Sequence, residues 1–349
     1  MEPYISFIIL SYNQESFIKD AIIAAFSQDY SNMEILISDD YSTDHTLQII
    51  QETLRTYKTS HKVIIHQNKQ NVGLAENLNT SISLSNGDWF VVSAGDDISL
   101  SNRVSLIATQ IKNNPQVYEI GTGYFEIHGQ DITNKRYRGF RDKNCITGAT
   151  AAWSRILVNK FGPIIKKQAF EDTVYPFRCL LLGQLILIDT PTVKYRLHQQ
   201  NMSSPITHDA VQGITHLLKL RDNLIETNEQ RLLDLEKATD LKLIDKEKYE
   251  LLKSRIKGII YLFQRQKVSE TLTLKVLKTN DIIKKTKYLF NKNKVHPSFK
   301  KRLKTTLLSF KIIRIIKPMR LKKSKNKETP SNHIFRYMID DLIDEKYPF

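Results

Sequence analysis

Residues 5–13 read ISFIILSYN, and this stretch decides the fold. Its first six residues are almost all apolar, which is typical of a strand that is covered by other elements on both faces. The apolar run ends at once in the polar residues Ser11, Tyr12 and Asn13. In α/β sheets, ligands bind in the crevice at the carboxyl ends of the strands. The stretch therefore predicts a buried strand with a binding segment directly after it.

The same pattern returns along the first hundred residues. Short apolar runs alternate with segments whose apolar residues recur at helical spacing. We expect three more strands, over 34–38, 63–65 and 89–92, and three helices, over 15–28, 44–54 and 73–84. This alternation predicts an α/β fold with a mostly parallel sheet and flanking helices.

Beyond residue 100 the pattern is weaker. It indicates strands over 124–127 and 185–188, and a helix that begins near Phe170. From about Thr207 the spacing of the apolar residues predicts helices, one of them over 232–263. The expected organisation is an α/β domain over 1–205, a helical extension over 206–290 and a basic C-terminal region over 291–349.

Two acidic clusters follow strands of the predicted sheet. The second strand runs into Asp39 and Asp40, and the fourth runs into Asp96 and Asp97. Carboxylates that lie close together repel each other unless a cation or hydrogen-bond donors offset their charge. A divalent cation, Mg²⁺ or Mn²⁺, is bound in proteins through one or two carboxylates and the phosphates of a substrate. Because the sequence contains no P-loop and no G-x-G-x-x-G motif, such a cation or basic residues must hold any phosphates.

The positive charge of the chain is concentrated near its C-terminus. The formal net charge is +15 over 349 residues, and residues 284–327 contain 17 Lys and Arg with no Asp or Glu. The rest of the chain is therefore close to neutral. Apolar residues within this basic block recur at helical spacing, as Phe299, Leu303, Leu307 and Phe310 do. A basic amphipathic helix can lie on an anionic membrane surface, and the alternative is a helix packed on the catalytic domain.

Cysteine content and hydropathy bear on the location of the protein. Cys145 and Cys179 are too few for a disulfide framework or a four-cysteine zinc site, which favours a reducing compartment. The N-terminus lacks the basic segment of a signal peptide, and no run of about 18 apolar residues predicts a membrane span. We expect a cytoplasmic protein. The basic C-terminal region adds the expectation that the protein attaches peripherally to the inner face of the cytoplasmic membrane.

Six segments between residues 5 and 203 carry a resemblance to a known family. They are Ser6–Asn13, Ile37–Asp44, Asn71-Val72-Gly73 with Asn77 and Asn79, Ala94–Asp97, Glu171-Asp172, and Tyr195-Arg196-Leu197-His198 with Asn201 and Ser203. In this order they resemble the family 2 glycosyltransferases of bacterial cell-surface polysaccharide synthesis, which have the GT-A fold. No single segment is specific, so the resemblance depends on all six and on their order.

The resemblance implies an inverting transfer of a sugar, hexosyl or N-acetylhexosaminyl, from a nucleoside diphosphate sugar to a hydroxyl group of a glycan or lipid-linked acceptor. A UDP-sugar is the expected donor. Asp172 takes the place of the catalytic base, and Asp96 with Asp97 that of the metal ligands. The residues expected to bind the nucleotide sugar are Ser11, Tyr12, Asn13, Asp39, Asp40, Asn71, Asn77, Asp96, Glu171, Arg196 and His198.

Two positions depart from the family pattern. Ala94 replaces the first Asp of the usual D-x-D motif, and Glu76 stands where many members carry Arg. Ala94 keeps open an alternative in which the chain binds a nucleotide sugar without turnover. The basic C-terminal region keeps open a second alternative, in which the chain is a nucleic-acid-binding protein. The chain has no recognisable nucleic-acid motif, however, and we expect no nucleic-acid partner. A nucleotidyltransferase would also use carboxylates and a cation, but it leaves the Glu171-Asp172 and Tyr195–His198 segments unexplained.

Overall fold

The structure of the chain is a computed structural model, and it describes residues 2–128, 131–137, 147–198 and 210–278. Its centre is a sheet whose strands follow the order β3-β2-β1-β4-β8-β6-β9-β5, with β7 paired to β6. The strands are β1 (Ile5–Ser11), β2 (Met33–Asp39), β3 (Lys62–Gln67), β4 (Trp89–Ala94), β5 (Ile98–Ser99), β6 (Val117–His128), β7 (Asp131–Tyr137), β8 (Ala151–Ser154) and β9 (Gln184–Arg196).

The structure describes eight α-helices, of which the first six cover the two faces of this sheet. They are α1 (Ile18–Phe26), α2 (Thr46–Thr56), α3 (Leu74–Leu84), α4 (Arg103–Asn113), α5 (Arg155–Phe161), α6 (Glu171–Leu182), α7 (Ala210–Asp240) and α8 (Lys246–Lys278). On β1, Phe7 and Ile9 belong to one buried cluster, and Ile8 and Leu10 belong to the cluster on the opposite face. Every residue of β1 is buried, which explains its nearly continuous apolar sequence.

The first half of the sheet is parallel, as the sequence predicts. Strand β1 pairs with β2 and with β4 in parallel, and β2 pairs with β3 in parallel. The second half is mixed, because β8 is antiparallel to both β4 and β6, whereas β6 and β9 are parallel. Strand β9 is longer than the predicted strand over 185–188, since it follows β6 through several irregularities in register and includes Tyr195 and Arg196.

The C-terminal part of the described chain is a hairpin of two long helices. The sequence predicts one helix over 232–263, but the structure divides this segment between α7 and α8. The connection contains Lys242, whose φ of 56° is left-handed, so the chain turns without a glycine. Leu224, Leu235, Ile256 and Phe263 join the two helices in a third buried cluster.

Several expectations fall on residues outside the described ranges. These are Cys145, Asn201, Ser203, the basic block over 284–327 and both expected domain boundaries, near residues 205 and 290. Within the described ranges, no helix is long and apolar enough to cross a bilayer.

Candidate active site

Three loops meet at the carboxyl edge of the parallel half of the sheet. The N–H group of Asp40 donates to the carbonyl of Ser11, the N–H of Gly95 donates to that of Leu10, and the N–H of Asn68 donates to that of Asp39. These bonds fasten the segments after β2, β3 and β4 to the last residues of β1 and β2. The structure thereby brings together the polar segments that the sequence places after separate strands.

The segment after β1 forms a tight turn against the loop that follows β2. Ser11 is buried, and its hydroxyl lies 3.4 Å from a carboxylate oxygen of Asp39. Asn13 has a φ of 52°, and its side-chain oxygen accepts the N–H of Thr43 at 2.8 Å. Tyr12 is exposed at this edge, so its ring is accessible for stacking on a ligand.

Asp39 and Asp40 are both buried, and they have different surroundings. Asp39 accepts hydrogen bonds from the N–H of Ser42 at 3.0 Å and from the side-chain amide of Gln67 at 3.1 Å. Asp40 accepts the N–H groups of Val72 at 2.9 Å and Gly73 at 2.8 Å. Asp40 therefore holds the turn that leads into α3, and Asp39 holds the loop after β2.

The two asparagines that the sequence assigns to the nucleotide lie at different depths. Asn71 is exposed in the loop before α3. Asn77 is buried, and its side-chain oxygen accepts the hydroxyl of Ser38 at 2.6 Å and the amide of Asn68 at 3.0 Å. These contacts tie α3 to β2 and point the Asn77 amide into the protein.

The loop after β4 connects Asp96 and Asp97 to the end of β9. A carboxylate oxygen of Asp96 lies 2.9 Å from Nε2 of His198. A carboxylate oxygen of Asp97 accepts the backbone N–H of Arg196 at 2.9 Å, and the Arg196 side chain donates through Nε to the carbonyl of Asp96 at 2.9 Å. The segments Ala94–Asp97 and Tyr195–His198, about a hundred residues apart in sequence, therefore form one unit.

Phe17 and Asp20 complete the surroundings of Arg196 and His198, and no motif in the sequence marks either residue. The ring of Phe17 stacks on that of His198 with centroids 4.7 Å apart, and the Arg196 guanidinium lies 5.0 Å from the Phe17 centroid. Arg196 also forms an ion pair with Asp20 at 3.1 Å. The guanidinium is largely buried among these partners.

The Asp96–Asp97 loop brings two carboxyl groups close together. Burial raises the pKa of Asp97 well above its usual value, and the neighbouring charge of Asp96 raises it further. The second carboxylate oxygen of Asp97 is buried and has no hydrogen-bond partner among the described residues. Within those residues no group of three or more His, Cys, Asp or Glu side chains could hold a metal ion. A cation at Asp96 and Asp97 would therefore need further ligands, and the oxygens of a substrate diphosphate are of the right chemistry.

Arg103, which the sequence analysis missed, lies fully buried behind this loop. Its guanidinium donates to the carbonyl of Val92 at 2.8 Å, to that of Ala151 at 3.4 Å and to the hydroxyl of Ser99 at 2.9 Å. These contacts join β4, β8 and β5, and the positive charge lowers the pKa of Asp97 against the larger effect of burial. The residue stands in an ordinary amphipathic helix, so nothing in the spacing marks it.

Glu171 and Asp172 form the first turn of α6. A short helical turn, Gly148–Thr150, leads into β8 and contacts both β4 and β9. Because β8 is antiparallel to β4, with Val91 opposite Ala152, this turn lies at the same edge as the end of β4. A Cβ atom added at Gly148 would come within 2.6 Å of a Glu171 carboxylate oxygen and 3.4 Å of the Asp172 Cβ. The structure thus places the two carboxyl groups at the edge that also contains the loop after β4.

The two carboxyl groups of this pair differ in burial. Glu171 is buried and Asp172 is half-buried. Burial, together with the charge of Asp172, raises the pKa of Glu171 to about 8. At neutral pH Glu171 is therefore mostly protonated.

A further buried carboxyl group, Glu119 of β6, lies near the base of α6. One of its oxygens accepts the indole N–H of Trp153 at 2.9 Å, and the Trp153 ring stacks on Tyr175 with centroids 4.4 Å apart. Burial raises the pKa of Glu119 well above its usual value, and the charge of Asp172 adds to this effect. A single acidic residue within a strand carries no motif, so the sequence could not mark it.

The strand order, the interlocked loops and the carboxylates at one edge define an α/β enzyme site of the GT-A type. Comparison with known proteins gives the family. The model described as Glycosyl transferase family 2 matches residues 6–174. An uncharacterized glycosyltransferase of Haemophilus influenzae is 26% identical over 74% of this chain and 85% of its own length. A UDP-Glc:alpha-D-GlcNAc-diphosphoundecaprenol beta-1,3-glucosyltransferase of Escherichia coli, WfgD, is 30% identical over 58% of this chain and 81% of its own length.

The chain belongs to glycosyl transferase family 2, and it is a glycosyltransferase with the GT-A fold. The resemblance read from the sequence is confirmed over the residues that the family model matches. The Tyr195–His198 segment lies beyond the residues that the family model matches. Its connection to the candidate site is the contact of Arg196 and His198 with Asp97 and Asp96.

Proposed function

We propose that the protein is an inverting glycosyltransferase that moves a sugar from a UDP-sugar to a hydroxyl group of a lipid-linked or glycan acceptor. The observation that carries the proposal is the position of its carboxylates. Those after β2, those after β4 and those in the first turn of α6 lie at one edge of the sheet. This edge is where ligands bind in α/β sheets.

In this proposal the nucleotide binds against the loops after β1 and β2. The exposed ring of Tyr12 stacks on the base, and Asp39 accepts an N–H of the base, with Ser11 and Asn13 shaping the turn between them. Asp40 and Asn77 act indirectly, because their described contacts hold the α3 turn and the β2 strand. Asn71, exposed before α3, faces solvent where the ribose would pass.

The diphosphate binds next to the loop after β4. We assign Asp96 and Asp97 as the ligands of a divalent cation, Mn²⁺ or Mg²⁺, which stabilises the negative charge of a leaving diphosphate. We assign to His198, whose ring contacts Asp96, the role of contacting the diphosphate. Arg196 contributes its charge and keeps the loop in place through Asp20 and the carbonyl of Asp96.

Asp172 is the proposed general base. An acceptor hydroxyl is a poor nucleophile, so a carboxylate must take its proton while the oxygen attacks the anomeric carbon. In this proposal Glu171, whose pKa is raised to about 8, keeps its proton at neutral pH, and Asp172 is the partner that accepts the proton of the acceptor hydroxyl. Asp172 is half-buried and one of its carboxylate oxygens is buried, so we assign the other oxygen to the acceptor.

The names of the relatives guide the choice of substrates. The Escherichia coli relative is named for transfer from UDP-Glc to GlcNAc-diphosphoundecaprenol, and an abequosyltransferase of Salmonella typhimurium is another relative, 29% identical over 33% of this chain. We infer a lipid-linked acceptor of the same chemical class. A UDP-hexose or a UDP-N-acetylhexosamine is the matching donor.

A lipid-linked acceptor would place the protein at a membrane surface. The exposed side chains of Tyr261, Val268 and Leu272 recur at helical spacing on α8, and the guanidinium of Arg265 lies 5.8 Å from the Tyr261 ring centroid. The basic block over 284–327 follows α8 in the sequence. Apolar and basic side chains on one helix face are the composition that binds anionic headgroups. We propose this face and the basic block as the contact with an anionic leaflet.

A thermal-shift screen tests the proposal. The panel consists of UDP, GDP, CDP and their common sugars, each with Mn²⁺ and with EDTA, because a ligand that binds the native state raises its stability. We expect UDP and one or a few UDP-sugars to raise the melting temperature in Mn²⁺. Slow Mn²⁺-dependent hydrolysis of the selected UDP-sugar separates an active enzyme from a relative that only binds, and a flat screen would refute the proposal.

A further inference from the structure

Helix α7 lies beyond the residues that the family model matches, yet it packs on the segment that leads to the proposed base. This segment, residues 162–170, joins α5 to α6 and is called the base loop below. The residue that follows it is Glu171, and Asp172 comes next.

Side chains of α7 bind the backbone of the base loop. The side-chain oxygen of Gln230 accepts the N–H groups of Ile165 at 2.9 Å and Lys166 at 3.2 Å. The hydroxyl of Thr227 accepts the N–H of Phe170 at 2.9 Å. Gln230 and Thr227 are both buried. Because buried backbone groups are costly to leave without partners, these bonds fix the course of the loop.

The contacts of α7 continue into the first turn of α6. Arg231 donates through Nη2 to the carbonyl of Thr173 at 2.9 Å and through Nε at 3.3 Å. Thr227 and Arg231 are four residues apart and therefore share one face of the helix. Their partners, Phe170 and Thr173, lie on either side of the Glu171-Asp172 pair. Helix α7 thus holds the backbone at both ends of the segment that carries the base.

Helix α3 holds the opposite side of the base loop. The amide of Asn79 donates to the carbonyl of Ile164 at 2.8 Å, and its oxygen accepts the N–H of Ile164 at 3.0 Å. The N-terminal turn of α3 is the one that Asp40 binds. The base loop is therefore fixed between the helix on the nucleotide side and α7.

We propose that α7 is a positioning element for catalysis, in which Thr227 and Arg231 set the orientation of the Asp172 carboxylate relative to the acceptor hydroxyl. The inference rests on the proposed role of Asp172 as the base. Catalytic groups act only within a narrow range of geometry, and a displacement of about 1 Å can cost about a hundredfold in rate. The helical extension would then belong to the catalytic centre and would not be an independent appendage.

The test compares Thr227→Val with Thr227→Ser. Valine has nearly the shape of threonine but cannot accept the N–H of Phe170, whereas serine can. Thr239→Val is the matched control, because among the described residues the Thr239 hydroxyl donates to the carbonyl of Leu235 within α7 and does not contact the base loop. The readout is Mn²⁺-dependent hydrolysis of the UDP-sugar that the thermal-shift screen selects.

We expect Thr227→Val to lower kcat about tenfold with an unchanged KM for the UDP-sugar, and Thr227→Ser to restore kcat. Arg231→Lys keeps the charge but cannot bond Thr173 through two nitrogens, and we expect the same separation of kcat from KM. Thr239→Val should match the wild type. A wild-type kcat in both Thr227→Val and Arg231→Lys, with only a lower melting temperature, would overturn the proposal.

A double variant shows whether Thr227 acts through the base. Residues that act as a unit are strongly non-additive, so Thr227→Val added to Asp172→Asn should leave the residual rate of Asp172→Asn unchanged. A further tenfold loss in the double variant would overturn the positioning role and leave the proposed base intact. A wild-type rate in Asp172→Asn alone would refute the base, and the inference with it.

Discussion

At the scale of single residues, the proposed base stands next to an acid of different character. Asp172 is half-buried, and Glu171 is buried with its pKa raised to about 8. Replacing Asp172 by Asn keeps the shape of the side chain and removes its ability to take a proton. General base catalysis contributes about 10²- to 10⁴-fold in rate, so Asp172→Asn should lose transfer by a factor in that range.

The control for this prediction is the dissociation constant for UDP, measured by calorimetry, which should be the same in Asp172→Asn and in the wild type. Asp29→Asn changes an exposed carboxylate elsewhere and should leave both quantities unaltered. Full transfer activity in Asp172→Asn would remove Asp172 from the mechanism.

Glu171 makes a prediction about stability and pH. Its pKa is about 8 in the folded protein and near 4.5 in the unfolded chain, so the folded state binds the proton more tightly. The contribution of Glu171 to stability is fully present below pH 4.5 and is lost as the pH rises through 8. The quantity to measure is the melting temperature of Glu171→Gln minus that of the wild type, in ligand-free protein. We expect this difference to be a few degrees larger at pH 8.5 than at pH 5. A constant difference between the two proteins over this pH range would contradict the raised pKa of Glu171.

Only some residues of the candidate site could be proposed from the sequence. Asp39, Asp96 and Asp172 were predictable because each belongs to a polar motif whose order and neighbours are distinctive. Glu119 and Arg103 were not, since each is a lone charged residue in an otherwise ordinary strand or helix. Their importance comes from burial against partners that are distant in sequence.

At the scale of elements, one buried carboxylate connects neighbouring strands at the end of the sheet opposite the candidate site. Glu34, at the start of β2, accepts the hydroxyl of Ser6 at 2.9 Å, the backbone N–H of Asn86 at 2.5 Å and the Lys62 ammonium at 3.2 Å. Burial acts to raise the pKa of Glu34, but the hydrogen bonds from Asn86, Ser6 and Lys62 outweigh it and lower the pKa to about 2.

We therefore expect Glu34→Gln to destabilise the fold by about 1–3 kcal/mol at pH 7 without changing the affinity for UDP. Because the folded pKa is lowered, the stabilisation by Glu34 is present above pH 4.5 and is lost as the pH falls through 2. Denaturant titrations at pH 7 and pH 3 check both points. An equal loss of stability at the two pH values would show that the charge of Glu34 is not what stabilises the sheet.

The elements themselves were predictable where local pattern decides them. Strands β1, β2 and β4 are buried on both faces, and their continuous apolar runs reveal this directly. The mixed half of the sheet was not predictable, because the pairing of β6 with β8 and β9 depends on contacts between distant segments. The break between α7 and α8 was also hidden, since Lys242 takes a left-handed conformation that is usually signalled by glycine.

At the scale of the whole molecule, the charge is divided between a nearly neutral catalytic part and a basic C-terminal block. We expect the full chain to sediment with vesicles that contain phosphatidylglycerol and to be released by salt, because exposed charges are screened within about 10 Å at 0.1 M ionic strength. A chain that ends at Lys278 should bind these vesicles much more weakly, and neither protein should bind pure phosphatidylcholine. Equal sedimentation of the two chains with anionic vesicles would argue against a membrane role for the basic block.

The central claim is that carboxylates from separate parts of the chain form one site for a cation-bridged nucleotide diphosphate. Calorimetric titration of UDP into the wild type and into Asp96→Asn, each in Mn²⁺ and in EDTA, tests it most directly. We expect EDTA to weaken UDP binding to the wild type at least about tenfold, and we expect Asp96→Asn to bind UDP weakly in both solutions. Equal affinity of the wild type in Mn²⁺ and EDTA, or wild-type affinity in Asp96→Asn, would contradict it.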